Sequence, residues 1–260
     1  MTPEATPVGL VTDDAVTLAV SDYSETSQIA VLFTRNNGKL SVMAKGSKRP
    51  KNRFGGPVDR LQAVQAVFTV RPSGGLGQLA ELVEQDTFGG LRTDLRAFYA
   101  ASYLAELVRT STEEMDPHPE VFKMLRDALR RLSRGAGSDI LVYRFEVRLL
   151  SALGLMPQLG HCVSCRRERP AGQRGKGSGG SFFSPAAGGV LCRRCRTQAG
   201  QGIEATGKAL DALAFLARAA DEEVARVRLS RETAADMRKL LRAYWVYVLG
   251  RVPRSLRWVS

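Results

Sequence analysis

Between residues 10 and 70, apolar and polar positions trade places in short runs, with the two-residue period of half-buried strands. Ala15-Val16-Thr17-Leu18-Ala19-Val20 and Ile29-Ala30-Val31-Leu32-Phe33-Thr34 are β-rich, Leu40-Ser41-Val42-Met43-Ala44 alternates, and a longer run extends from Leu61 to Val70. Asn36-Asn37-Gly38 separates the second run from the third, and Asn-Gly tolerates the positive φ that a tight hairpin demands. Arg71-Pro72-Ser73-Gly74-Gly75 then breaks the pattern. Four or five short strands with tight turns predict a small β-barrel, because closure leaves no strand edge unpaired.

From about residue 78 the period lengthens to that of a helix. Leu91, Leu95, Phe98, Tyr99, Tyr103, Leu104, Leu107 and Val108 form one stripe; Val121, Phe122, Leu125, Leu129 and Leu132 form another after Pro117-His118-Pro119. Asp139 is placed to cap a third helix running through Tyr143, Phe145, Leu149, Leu150 and Leu153 and ending at Gly154. Helical spacing resumes near Thr206 and closes with Met237, Leu240, Leu241, Tyr244 and Val248, between Ser230 and Gly250 as caps. The fold class is α+β and multidomain: an N-terminal barrel over 1–78, a helical domain whose first part is 79–158 and last part 204–260, and a cysteine-bearing lobe over 159–203 inserted into it. Ala171 to Ser181 is glycine-rich and of low complexity.

That lobe holds all four cysteines, as Cys162-Val-Ser-Cys165 and Cys192-Arg-Arg-Cys195 with 26 residues between the pairs. Two C-x-x-C knuckles present four thiolates tetrahedrally to one zinc ion. His161 adjoins Cys162, but four sulfurs already complete a zinc shell. The first residues, Met1-Thr2-Pro3-Glu4, carry no basic n-region or apolar h-region, and no run of about 18 apolar residues occurs. A reducing, cytoplasmic location is therefore expected, where disulfides are disfavoured and a structural metal is the better reading.

Charge sharpens the picture. The formal net charge is +12, and residues 161–200 hold eight basic residues against Glu168 alone. A second concentration runs from Arg35 to Arg53, with Lys39, Lys45, Lys48, Arg49 and Lys51 between them and no acid. Gly46 and Pro50 rule out a helix there, so the segment is a cationic loop at a barrel rim, suited to following a phosphate backbone. Arg35, Lys39, Lys45, Lys48, Arg49, Lys51 and Arg53, together with Arg193, Arg194 and Arg196 of the lobe, are the expected nucleic-acid contacts. Phe54 is the candidate for base stacking; Phe33 and Phe68 sit in apolar runs that belong to the core. No Walker loop, G-x-S-x-G or H-E-x-x-H occurs, which points to a binding protein and not an enzyme. A zinc-ribbon transcription or translation factor and a redox-switched zinc chaperone share these features.

Several segments together resemble the RecO family of bacterial DNA repair and recombination mediators. Tyr23-Ser24-Glu25-Thr26-Ser27, Leu32-Phe33-Thr34, Gly38-Lys39-Leu40, Ala44 to Arg49 and Arg53-Phe54 are similar to its oligonucleotide-binding (OB) barrel. Phe122 to Leu132 resembles its helical domain, and Phe145 to Leu150, Leu153 to Pro157 and Cys162 to Cys165 resemble its passage into a zinc lobe. The resemblance implies an OB-type barrel and a non-enzymatic, nucleoid-associated protein that binds single- and double-stranded DNA and anneals complementary strands. It implies partnership with RecR and with the acidic C-terminal tail of single-strand-binding protein, and help in loading RecA. For that tail, a groove near Arg130, Arg131 or Arg242 is the expected site.

Overall fold

The computed structural model describes residues 9–70, 75–169, 181–198 and 201–259. Residues 171–180, most of the predicted low-complexity stretch, lie outside them. The chain divides into two compact units at Ala136/Gly137.

The first unit begins with five strands, β1 (Leu10–Asp22), β2 (Gln28–Thr34), β3 (Gly38–Ala44), β4 (Ala63–Thr69) and β5 (Gly77–Asp86). They close into a barrel in the order β1-β2-β3-β5-β4. β1 serves both neighbours. Its first half pairs with β4 and its second with β2, and a register shift between Thr17 and Ala19 bends it as a β-bulge does. Three ladders are long and antiparallel besides β1–β2, but β3 and β5 meet in parallel over only Val42↔Gly77 and Met43↔Gln78. Gly77 is needed there: a Cβ would stand 2.4 Å from the Thr69 carbonyl oxygen. The barrel core is Ala30, Leu32, Val42, Val64, Phe68 and Leu79, the inward positions of a period-two pattern.

The predicted hairpin is present, with β2 and β3 joined through Asn36-Asn37-Gly38. Asp13 of β1 is 4% exposed and accepts from Asn36 N, Asn36 Nδ2 and Asn37 Nδ2, each at 2.8 Å. β5 is the departure from the sequence reading, which ends the barrel at 78 and begins helix there. Along β5 only Gly77 and Leu79 are fully buried, while Gln78, Glu81, Val83, Glu84 and Gln85 face solvent, so its strand signal is diluted.

A 3-10 turn (Gly89–Arg92) leads to α1 (Leu95–Ser111) and α2 (Pro119–Ser133). Asp94 caps α1 by accepting from the Arg96 and Ala97 amides, and Pro119 opens α2 where a missing N–H costs nothing. Their buried stripes include Ala97, Ala101, Leu104, Leu107 and Val108, and Val121, Phe122, Leu125, Leu129 and Leu132. Phe122 meets Phe33 of β2 with ring centroids 6.5 Å apart, so these helices pack on the barrel. The sequence-derived limits at 78/79 and 158/159 thus do not coincide with the division into units.

The second unit contains α3 (Ser138–Ala152), the short strands β6 (Ser181–Ser184), β7 (Gly189–Leu191) and β8 (Ile203–Ala205), and the helices α4 (Gly207–Arg218), α5 (Asp221–Ala225) and α6 (Arg231–Leu249). The strands form a sheet in the order β7-β6-β8. Ser230 caps α6 through the Thr233 amide, and Gly250 ends it in the left-handed region (φ 64°), both as predicted. The N-cap of α3 is Gly137; Asp139 lies inside the first turn, where its carboxylate faces the positive helix end. Trp245 is fully buried, and Tyr244 of α6 donates to the Leu155 carbonyl while its ring meets Phe183 of β6 edge-on at 5.7 Å. Among the described residues, no helix is long and apolar enough to cross a membrane.

Candidate nucleic-acid interface and metal centre

The cationic segment 45–62 between β3 and β4 has no regular structure, yet it is firmly seated. Gln28 at the start of β2 holds it. Its Oε1 accepts from the Val58 amide (2.9 Å) and from Ser47 Oγ (2.9 Å), and its Nε2 donates to the Val58 carbonyl (3.3 Å). Gly46 N donates to Ser27 Oγ, and Lys48 N to the Thr26 carbonyl, which ties the loop to the β1–β2 turn. Asn52 Oδ1 accepts from the Phe54 and Gly56 amides and shapes the far bend. Phe54 and Val58 insert into the barrel core, at 8% and 4% exposure. Lys45, Lys48, Arg49, Lys51 and Arg53 are exposed on this pinned framework. A loop so anchored presents cations with little ordering entropy left to lose on binding.

The expected contacts do not all gather there. Because β2 and β3 pair Gln28↔Ala44 at one end and Thr34↔Gly38 at the other, Arg35 lies at the opposite rim from Lys45, about 20 Å away at ~3.3 Å per residue. Lys39 is engaged elsewhere. Its Nζ donates to the carbonyls of Arg109 (2.7 Å) and Thr112 at the C-terminal end of α1. Burial lowers its pKa below 10.5, against the raising influence of Glu114 and Glu113. Lys48 is paired with Asp22 at 2.8 Å, an ion pair exposed enough to yield to a phosphate. Phe54, the predicted stacking residue, is packed inside, because the loop needs an apolar anchor more than a display. Tyr23 on the adjoining turn is 62% exposed.

In the second unit the two knuckles meet as predicted. Cys162 N donates to the Arg167 carbonyl, Arg166 N to the Cys162 carbonyl, and Arg166 takes a left-handed φ of 57° to close the first turn. Cys195 and Arg196 amides both donate to the Cys192 carbonyl and close the second. Val163 N donates to the Val190 carbonyl, which aligns the first knuckle with β7. All four Sγ atoms lie within 4.8 Å of one another, and Cys165 and Cys192 Sγ are 3.7 Å apart. A tetrahedron with metal–sulfur bonds of about 2.3 Å has sulfurs about 3.8 Å apart, so this donor set fits a zinc ion. His161 is instead paired with Glu168 in an isolated β-bridge.

The thiols are unequal. Burial opposes ionisation of Cys162, but the amides of Cys165, Cys192 and Ser164 donate to it and bring it down to about 6. Donation from the Cys195 amide lowers Cys192 too. For Cys195 the Ser164 side chain favours the thiolate, yet hydrogen bonds to Cys192, Cys165 and Cys162, with burial, push it up to about 11. Amides aimed at sulfur are what a thiolate ligand set requires.

Around this centre Arg193 and Arg194 are exposed between the second pair of cysteines. Arg196 is paired with Glu204 at 3.1 Å. Arg169 serves the fold, donating to the Leu159 carbonyl at 3.0 Å and to Asp211. Farther along the chain, Arg242, Arg254 and Arg257 line a cavity of about 640 Å³ with Val252, Pro253 and Leu256. Arg130, another residue expected near an acidic partner, is paired with Asp86 at 3.3 Å.

Two family models cover nearly the whole chain: Recombination protein O N terminal matches residues 8–86, ending where β5 ends, and Recombination protein O C terminal matches 92–257. The chain is 35% identical over 249 residues to the DNA repair protein RecO of Symbiobacterium thermophilum, covering 94% of this chain and 93% of the relative. It is 31% identical over 252 residues to that of Desulfatibacillum aliphaticivorans, covering 96% of each. With the RecO of Bacillus subtilis (strain 168) the identity is 29% over 247 residues, 95% of this chain and 92% of the relative.

Proposed function

Because the chain belongs to the RecO family of DNA repair proteins, we propose that it is a DNA-binding recombination mediator that works by holding strands, with no chemistry performed on them. The observation that carries this reading is the pinned cationic loop, whose stretch from Lys45 to Arg53 holds five exposed Lys and Arg side chains on a framework fixed by Gln28, Phe54 and Val58. The strand order β1-β2-β3-β5-β4 supports an OB-type barrel beneath it.

Strand annealing follows from charge. Two polyanions come together only when their phosphates are neutralised, and release of condensed counterions drives that step for single and double strands alike. The barrel loop supplies one cationic surface. Arg193 and Arg194 supply another, held between the ligands Cys192 and Cys195 of a structural zinc site with Cys162 and Cys165. Zinc, when bound, supplies geometry alone: it locks both knuckles and so fixes where the two guanidinium groups stand.

The partners are RecR, single-strand-binding protein and, through them, RecA, and the site of action is the nucleoid in the cytoplasm. For the acidic tail of single-strand-binding protein, the cavity lined by Arg242, Arg254 and Arg257 together with Val252, Pro253 and Leu256 combines cations with apolar side chains. The testing experiment is annealing of complementary fluorescent oligonucleotides, with and without single-strand-binding protein. Acceleration that survives coating of the strands supports the reading. If neither annealing nor affinity for that protein is found, the reading fails and a zinc-ribbon transcription or translation factor takes its place. Zinc release by mild peroxide followed by capture of unfolded clients identifies a redox-switched chaperone instead.

A further inference from the structure

Between residues 9 and 94, the described residues hold five aromatic rings, and four of them are core. Phe33 and Phe68 are fully buried, Phe88 is 1% exposed and Phe54 is 8% exposed. Tyr23 alone is turned out, at 62%. Its position is not a loose one. Tyr23 N and Ser24 N both donate to the Ser27 carbonyl, which folds residues 23–27 into a closed turn between β1 and β2. That turn is joined to the cationic loop at three points: Gly46 N to Ser27 Oγ (3.1 Å), Lys48 N to the Thr26 carbonyl (3.1 Å), and Lys48 Nζ to Asp22 (2.8 Å), the residue next to Tyr23. Strand direction puts both segments at one rim, because Gln28 at the end of this turn pairs with Ala44 at the start of the loop.

We infer that Tyr23 is the stacking residue of the barrel rim, taking an unpaired base of single-stranded DNA while the exposed cations of residues 45–53 hold the adjoining phosphates. This rests on the DNA-binding function proposed above and gives it a strand preference. A phosphate-only surface does not distinguish a single strand from a duplex beyond their charge density. An exposed π-face on a rigid turn does, because the bases of a duplex are already stacked on one another. Tyrosine is well suited to this role, since it exposes a flat ring to water at low cost and has few rotamers to freeze.

The experiment compares wild type, Tyr23→Ala and Tyr23→Phe against three probes: a single-stranded oligothymidine, an abasic strand of equal length and charge, and a blunt duplex. Stacking is expected to make Tyr23→Ala lose roughly fivefold or more in affinity for oligothymidine. Binding of the abasic strand and the duplex stays unchanged, the salt slope is preserved, and Tyr23→Phe matches wild type. Equal losses on oligothymidine and the abasic strand, or no loss on either, overturn the assignment. If wild-type protein binds none of the three probes at low salt, the DNA-binding reading falls first, and this inference with it.

Discussion

Gln28 and Val58 are joined as if they were neighbours on paired strands: the side-chain amide of one donates to and accepts from the backbone of the other, 30 residues away. Backbone groups in an irregular loop need partners as much as those in a strand, and here one side chain supplies both. Ser47 adds a third bond, to the oxygen that already accepts from Val58, and all three residues are buried. Gln28→Ala is expected to cost about 1–3 kcal/mol of stability by leaving the Val58 amide and carbonyl unpaired. It removes no charge, so any loss of DNA affinity comes with an unchanged salt slope. Thermal melting and fluorescence anisotropy at several salt concentrations check both halves.

Charge removal on the loop has the opposite signature. Arg49→Ala and Lys51→Ala leave the fold intact and reduce the magnitude of the salt slope on single-stranded DNA by about 0.7 for each phosphate no longer neutralised. Reversing charge at Lys48 and Arg49 together weakens binding further and flattens the slope. Arg35→Ala, at the far rim, leaves the slope where it was. Asp22→Asn frees Lys48 from its ion pair and is expected to tighten binding about twofold, as an exposed pair is worth only a few tenths of a kcal/mol. An Arg35 effect equal to that of Arg49 would discard the single-rim picture.

Lys39 predicts a stability phenotype without a binding one. Its ammonium closes the C-terminal end of α1 on two carbonyls, so Lys39→Met is expected to destabilise the protein by about 1–3 kcal/mol and to spare DNA affinity. Burial holds its pKa below 10.5, so in alkaline solution the native state sheds this proton before the unfolded chain does. Wild-type stability therefore gains from this group as pH climbs from the lowered pKa to 10.5, and Lys39→Met loses that gain. Denaturant midpoints measured for both proteins across the window test the sign.

Removing the metal distinguishes a role in folding from a role in shaping the lobe. One zinc per chain is expected on release with a thiol-reactive reagent, and Cys162→Ser, at the buried ligand, is expected to abolish loading. Protons compete with metal for sulfur, so retention weakens as pH falls, and the amides that bring the metal-free Cys162 thiol down to about 6 keep that ligand available to metal at lower pH than an ordinary thiol. If zinc only shapes the lobe, the cysteine variant melts near the wild type but loses the contribution of Arg193 and Arg194 to DNA binding. A large fall in melting temperature assigns the metal to folding.

Much of this architecture is legible in local signals that tertiary packing has no reason to override. Asn37-Gly38 marks its hairpin, Ser230 and Gly250 mark the ends of α6, and the cysteine spacing marks the knuckles. β5 is not legible, because a strand that shows most of its side chains to water carries few apolar positions to count. Nor is the fate of Phe54. Gly, Pro and Lys around it read as a projecting loop, and only the barrel's need to be plugged explains a ring turned inward. The grouping of cations fails for a geometric reason: contiguous residues along β3 are carried from one rim to the other. Tyr23 has a signal, an aromatic ring between Asp22 and Ser24 with no apolar neighbour to claim it.

The parallel seam between β3 and β5 bears on how the rim responds to load. Every other junction in the barrel is a long antiparallel ladder, whereas this one is two residue pairs, one of them formed by a glycine. A ring with a single short join has one soft coordinate, its circumference, and can widen there while its ladders stay zipped. Amide hydrogen exchange should report this as early deuteration where β3 and β5 join, while the Gln78 amide, which donates to Thr69 Oγ1 on the β4 side, stays protected. β3 runs straight from that join into the cations that begin at Lys45. Girth at the rim and spacing between its charges are therefore one mechanical variable, set by the weakest pair of strands.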